Sequence, residues 1–180
     1  MHSNLKVNLE RVFKSSKNPD ELFDAFQLVI FKKVNDPDLL KILLANPVLS
    51  NDELMMYAEK IVKDFPENSY EIFMWTAKVI ENKTYQIDCQ EKALKYLDRA
   101  LQISPAEKEP LLKAIDLYNF DLPIALNNQI IGFVEEKVTS VFGKSDVYYK
   151  LAKLYKKLGL REKSRDCEYL AEKSAAEENQ

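Results

Sequence analysis

The most informative stretch of this 180-residue chain runs from Tyr148 to Ala171 and reads Y-Y-K-L-A-K-L-Y-K-K-L-G-L-R-E-K-S-R-D-C-E-Y-L-A. Its apolar and small residues recur every three or four positions, both before and after Gly159, which is the spacing of one helix face. A glycine between two such segments is typical of the left-handed turn that ends a helix. The stretch therefore predicts two helices joined by a tight turn.

The same helical period runs through the rest of the chain. Prolines stand at the edges of the periodic segments, where a first helical turn tolerates them and a helix interior does not: Pro19, Pro37, Pro47, Pro66, Pro105, Pro110 and Pro123. Helix starts are marked by Asn18-Pro19, by Asp36-Pro37 and by a capping-box pattern from Ser50 to Glu53. No segment alternates with period two, and no Asn-Gly or Asp-Gly hairpin turn occurs. The sequence predicts an all-α protein of about ten helices.

Three local predictions depend on this pattern. The helix that begins at Pro19 is expected to carry its apolar side on Leu22, Phe23, Phe26, Ile30 and Phe31. A long helix is expected from about residue 123 to residue 142, followed by a helix that Ser145-Asp146 caps. A loop is expected over residues 82–90.

The composition excludes most enzyme sites that short motifs reveal. The chain has three glycines and one histidine, His2. Glycines so far apart form no dinucleotide-binding or phosphate-binding loop, and a lone histidine provides no catalytic triad, Cys–His pair or histidine-rich metal site. Cys89 and Cys167 lack metal-binding spacing and are expected to be reduced thiols that pack as small apolar residues. We expect no catalytic residue, no cofactor and no metal.

Charge and hydropathy narrow the classes of partner. The formal net charge is −3 and the isoelectric point is near 5.4, which gives no general attraction to nucleic acid. The longest apolar runs, at 28–31 and 42–45, are far shorter than the about 20 residues of a membrane span. Residues 1–16 lack the apolar centre of a secretory signal. We therefore expect no nucleic-acid partner, no membrane span and a cytoplasmic location.

The stretch from Tyr148 to Ala171 resembles the tetratricopeptide repeat. The family's pattern is an opening aromatic, a leucine, a small residue, a tyrosine, a glycine at the turn and small residues on the second helix. It falls on Tyr148, Leu151, Ala152, Tyr155, Gly159, Ser164 and Ala171. Glu168 departs from the pattern, because the family usually has an aromatic residue there. The resemblance implies a right-handed superhelix of antiparallel helix pairs.

A second match is half a repeat. Residues 93–105 are similar to the family's second helix, with Ala93, Ala100 and the terminal Pro105 in place. The expected loop at 82–90 would be an insertion before it. The chain is expected to form one domain over 1–180, with divergent helix pairs over 1–66, irregular repeats over 67–143 and the best-matching repeat with its capping helix over 144–178.

A basic cluster coincides with the best-matching repeat. Between residues 144 and 165 there are eight positive charges and two negative ones, a local net charge of +6: Lys144, Lys150, Lys153, Lys156, Lys157, Arg161, Lys163 and Arg165. The resemblance implies that the first helix of each pair lines a concave groove for extended peptides. In that register Tyr149, Lys150, Lys153, Lys156 and Lys157 face or border the groove.

These residues resemble part of the family's clamp for a peptide carboxylate. Lys153 stands where the family usually has asparagine, and Asp146 stands where it has a second lysine. An acidic or C-terminal segment of a partner protein is the expected ligand, and a merely solvated lysine-rich face is the alternative. Trp75 is out of phase with Phe73 and Ala77, so Trp75 and neighbouring Lys78 are further groove candidates. Packing between stacked helices is the alternative for the aromatic residues of this helix.

Three functions remain open on the sequence. The first is a non-catalytic protein-interaction module of the adaptor, scaffold or chaperone type, which the resemblance implies. The second is a helical enzyme, or a protein with a small-molecule or lipid pocket between helices, which would need a closed cavity with convergent carboxylates. The third is a self-association unit such as a homodimer.

Overall fold

The computed structural model describes residues 2–83 and 87–178, and this part of the chain contains ten α-helices and no strand. The predicted all-α class is confirmed. The helices are α1 (His2–Ser15), α2 (Pro19–Phe31), α3 (Pro37–Leu44), α4 (Asn51–Asp64), α5 (Ser69–Lys83), α6 (Ile87–Ile103), α7 (Glu109–Leu117), α8 (Ile124–Lys137), α9 (Lys144–Lys157) and α10 (Arg161–Glu178). Short 3-10 turns occur at Pro66–Asn68 and Val138–Ser140. None of these helices is both long and apolar enough to span a bilayer.

The chain forms two compact units, Met1–Lys83 and Thr84–Gln180. In the first unit, α3 packs against both α1 and α5, and its four leucines at positions 39, 40, 43 and 44 are fully buried. In the second unit, α9 packs against α10 and α7. The expectation of a single 180-residue domain stays a prediction.

Helix starts in the first unit follow the sequence signals. The Asn18 side chain accepts from the Asp20 amide at 2.9 Å, and the Asp36 side chain accepts from the Leu39 amide at 3.1 Å. The capping box before α4 is complete, because the Ser50 hydroxyl accepts from the Glu53 amide and the Glu53 carboxylate accepts from the Ser50 amide. Each cap satisfies backbone N–H groups that have no partner inside the helix.

Replacing Ser50 with alanine is expected to lower the free energy of unfolding by about 1 kcal/mol, because one half of the capping box is lost. Urea denaturation of the wild type and of Ser50→Ala measures this. Ser15→Ala is the matched control, since Ser15 is exposed at the end of α1 and, among the described residues, its hydroxyl bonds only the carbonyl oxygen of Arg11. Equal stabilities of the two variants would contradict the role of the cap.

The predicted apolar side of α2 is wrong in part. Leu22, Phe26 and Val29 are its buried residues, whereas Phe23 is 43% exposed and Phe31 is 77% exposed. A step of seven residues, from Leu22 to Val29, returns to the same face at 3.6 residues per turn. Apolar residues occupy both sides of this helix, so periodicity alone did not identify the side that faces the core.

The predicted boundaries around α8 and α9 also need correction. Regular helix ends at Lys137 rather than at 142, and α9 begins at Lys144, so Ser145 lies inside the helix that it was expected to cap. Gly143 makes the turn with a φ of +64°, and a Cβ there would lie 2.8 Å from the Lys108 ammonium nitrogen. The Ser145 amide and hydroxyl instead donate to the carboxylate of Glu178, at 3.2 and 2.6 Å.

The predicted loop at 82–90 is mostly helical. Helix α5 continues to Lys83, and α6 begins at Ile87. Residues 84–86 lie outside the described residues. The predicted turn at Gly159 is confirmed, since its φ of +74° is left-handed.

Candidate functional site

The predicted groove residues lie in two different units. Trp75 and Lys78 belong to α5 in the first unit. Tyr149, Lys150, Lys153, Lys156 and Lys157 belong to α9 in the second.

Helix α9 is strongly amphipathic. Its inner side is buried through Tyr148, Leu151, Ala152 and Tyr155, and the contact with α10 is close enough for the Ser164 hydroxyl to donate to the Ala152 carbonyl at 3.0 Å. The opposite side is exposed and carries Tyr149, Lys153, Lys156 and Lys157, which we call the α9 basic face.

The three lysines of the α9 basic face form no ion pair within the described residues. Tyr149 is 42% exposed at the N-terminal end of the same face. An aromatic ring beside several unpaired ammonium groups suits a ligand that combines carboxylates with an apolar side chain.

Lys150 borders this face but is engaged by α7. Its ammonium lies 2.6 Å from the Asp116 carboxylate and donates to the Leu112 carbonyl at 2.9 Å. Lys108, just before α7, bonds Asp146 at the start of α9, and both this bond and the one from Lys150 to Leu112 join residues 38 positions apart. The bond to Asp146 raises the pKa of the Lys108 ammonium. Lys150 and Asp146 therefore join the two helices.

The surface around Trp75 is a groove of about 510 Å³ across α1, α3 and α5. The indole is half-buried, its Nε1 donates to the Lys41 carbonyl at 2.9 Å, and the Lys78 ammonium lies 5.3 Å from the ring centre. The structure thus brings Trp75 and Lys78 together. The groove is lined by Phe13, Lys14, Asp38, Lys41, Ile42, Ala45, Asn46, Pro47 and Trp75.

The charges on the rim of this groove are mostly paired. Lys41 bonds Glu71 and lies 3.5 Å from Asp38, and the bond to Glu71 is the main reason that the pKa of Lys41 is raised. Lys14 bonds Glu10 at 2.5 Å. The groove therefore offers a ligand mainly apolar contact, in contrast to the α9 basic face.

Cys89 and Cys167 are buried, and burial together with the nearby Glu135 carboxylate raises the pKa of the Cys167 thiol. A buried thiol with a raised pKa is a poor nucleophile. No group of three potential metal ligands was found among the described residues.

Sequence reasoning missed one surface. Asp20, Phe23, Asp24, Gln27, Leu28 and Phe31 are all exposed on one side of α2, which we call the α2 acidic face. The signal was present, because Asp20, Asp24 and Gln27 recur at helical spacing between the apolar residues. Assigning Phe23 and Phe31 to the core hid it.

Comparisons with protein-family models, with curated proteins and with solved structures found no match for this chain. Its function is therefore inferred from geometry and side-chain chemistry.

Proposed function

We propose that the chain is a non-catalytic protein-interaction module whose α9 basic face binds an acidic segment of a partner protein. The observation that carries this proposal is the exposed row of Lys153, Lys156 and Lys157, unpaired within the described residues, beside the exposed ring of Tyr149. Lysine side chains at a partly apolar surface bury their methylene stems while their charge stays accessible to a carboxylate.

The proposed architecture is a right-handed stack of antiparallel helix pairs of the tetratricopeptide type within each unit. The packing of α3 against α1 and α5, and of α9 against α7, supports it, because first helices of successive pairs are neighbours in such a stack. Small residues at the α9–α10 contact, Ala152 and Ser164, also fit this arrangement.

The enzyme alternative has weaker support. The carboxyl groups of Asp36 and Asp64 have lowered pKa values chiefly because Lys6 and Lys60 bond them, and the pKa of Glu53 is lowered by its hydrogen bonds with Ser50. Each of these shifts has a local structural cause rather than belonging to a convergent site. The cytoplasmic location remains part of the proposal.

Reversing two charges on the α9 basic face is expected to weaken binding of an acidic peptide at least about tenfold, equivalent to about 1.4 kcal/mol. The double variant Lys153→Glu/Lys157→Glu replaces two attractions with two repulsions. Fluorescence anisotropy with labelled peptides of alternating glutamate and phenylalanine measures the affinity. For the wild type, affinity should also fall as salt is raised, because salt screens exposed charges.

The control for this test is Lys63→Glu/Lys173→Glu, which makes the same change of net charge at exposed positions on α4 and α10. It separates a local effect of the α9 basic face from the overall charge of the protein. Equal affinities of the two double variants, or no binding of any acidic peptide by the wild type, would overturn the proposed function.

A further inference from the structure

We propose that the acidic segment held by the α9 basic face is the α2 acidic face of a second copy of this chain. This inference rests on the proposed function and names its partner. It follows from two exposed helix faces of opposite charge in one sequence. The α2 acidic face carries two aromatic rings, Phe23 and Phe31, and the α9 basic face carries one, Tyr149.

The α2 acidic face has the features of a protein-binding surface. Phe31 is 77% exposed and Phe23 is 43% exposed, and Leu28, which is 37% exposed, lies between them on the same side of the helix. Exposed apolar side chains grouped on one helix face are characteristic of interaction sites. Within the described residues, the carboxylates of Asp20 and Asp24 form no ion pair, so both are available to a partner.

The charged groups on the two faces match in spacing. Asp20, Asp24 and Leu28 follow one another every four residues on α2, as Tyr149, Lys153 and Lys157 do on α9, and four residues span about 6 Å of helix. An antiparallel alignment places Asp20 opposite Lys157, Asp24 opposite Lys153 and Leu28 opposite Tyr149. Both ion pairs and one apolar contact form in this single register.

The helix dipoles favour the same alignment. Asp20 lies in the first turn of α2, and Lys157 is the last residue of α9. An antiparallel pair puts the positive N-terminal end of one helix beside the negative C-terminal end of the other. The two helices also have similar lengths, 13 and 14 residues, so the faces cover each other.

Contact between unlike faces can be made once or twice between two copies. Each copy has one α2 acidic face and one α9 basic face, so two copies either exchange both contacts in a two-fold dimer or continue head-to-tail into chains or rings. The average mass in solution should therefore rise with protein concentration from that of the monomer.

The test uses the full chain in analytical ultracentrifugation over about 5 to 500 μM, the range in which a micromolar dissociation constant is visible. The wild type is expected to pass from monomer to dimer or to larger species. Asp20→Lys/Asp24→Lys and Lys153→Glu/Lys157→Glu are each expected to remain monomeric. An equimolar mixture of these two variants is expected to assemble again, because the native pair of faces and the charge-reversed pair are both complementary in the mixture.

Two further variants keep the test independent of folding defects. Leu28→Ser removes the apolar side chain that this register places opposite Tyr149, without changing charge, and is expected to weaken assembly at least about fivefold, since less apolar surface is buried. Glu168→Lys/Glu172→Lys makes the same charge change as the α2 variant on the exposed side of α10 and should assemble like the wild type. Circular dichroism verifies the helix content of every variant.

A wild type that stays monomeric at all concentrations would overturn the inference, as would a mixture of the two charge variants that remains monomeric. Failure of this inference can be distinguished from failure of the proposed function. If the wild type is monomeric but binds the glutamate–phenylalanine peptides through Lys153 and Lys157, the partner is a different acidic protein. If both assembly and peptide binding are absent, the proposed function fails as well.

Discussion

Replacing Asn46 with alanine is expected to lower the free energy of unfolding by about 3 kcal/mol, because several buried polar groups lose their partners at once. Asn46 is 3% exposed and follows α3. Its Nδ2 donates to the carbonyls of Phe13 and Ser16 at 2.9 and 3.1 Å, and its Oδ1 accepts from the Val48 amide at 2.9 Å. One side chain thus satisfies the end of α1 and the turn after α3.

Urea denaturation of Asn46→Ala against the wild type measures the effect. Asn128→Ala is the matched control, because Asn128 is exposed on α8 and its replacement should change stability by less than about 0.5 kcal/mol. Asn46→Asp separates the hydrogen bonds from the volume of the side chain, since it keeps the shape but places a carboxylate against two carbonyls. It should destabilise at least as much as alanine, and a loss below about 1 kcal/mol in both variants would contradict the role of Asn46.

Most helix starts were predictable because their causes are local. The caps at Asn18, Asp36 and Ser50 involve backbone groups no more than three residues away, so the signal and its consequence lie in one short window. The turn at Gly159 is equally local, since only the backbone of one residue must adopt a left-handed conformation.

The error at Ser145 has a different cause. Its amide is satisfied by Glu178, 33 residues away, and Asn46 bonds the Phe13 carbonyl across the same separation. The residue pattern of a single helix does not predict hydrogen-bond partners that are so far away in the sequence. The buried side of α2 was misjudged for the same reason, because burial of Leu22 rather than Phe23 depends on what packs against the helix.

The residues of the candidate surfaces also differ in whether the local sequence could predict their exposure and contacts. The exposure of Tyr149 and Lys153 followed from the period of α9, whose apolar residues leave only one side for solvent. The hydrogen bond from Lys150 to the Leu112 carbonyl on α7 joins residues that are 38 positions apart, so it could not be predicted from the sequence. The α2 acidic face was hidden because an exposed phenylalanine and a core phenylalanine are identical in sequence.

Replacing Tyr155 with alanine is expected to cost about 4 kcal/mol of unfolding free energy, in the range of large aromatic-to-alanine changes in a core. Tyr155 is 1% exposed on α9, and its hydroxyl donates to the Glu135 carboxylate on α8 at 2.5 Å. Lys163 on α10 lies 3.1 Å from the same carboxylate and 5.1 Å from the tyrosine ring centre. The side chain therefore joins three helices of the second unit.

The hydrogen bonds among Tyr155, Glu135 and Lys163 explain why loss of the Tyr155 hydroxyl should cost less unfolding free energy than loss of its ring. Burial alone would raise the pKa of the Glu135 carboxyl, but hydrogen bonds from Tyr155 and Lys163 outweigh it and lower that pKa. Burial and the bond to Glu135 raise the pKa of the Tyr155 hydroxyl, which stays a donor. In Tyr155→Phe the Glu135 carboxylate keeps Lys163, so the expected loss is only about 1 to 1.5 kcal/mol.

Tyr149 provides the internal control, because it is a tyrosine on the same helix that faces solvent. Tyr149→Ala should change the free energy of unfolding by less than about 1 kcal/mol, yet weaken binding of the glutamate–phenylalanine peptides. Tyr155→Phe should show the reverse, a loss of stability with unchanged peptide affinity. Urea denaturation and anisotropy on the same samples measure both quantities. If Tyr155→Ala is no less stable than Tyr149→Ala, the two sides of α9 do not have the separate roles assigned to them.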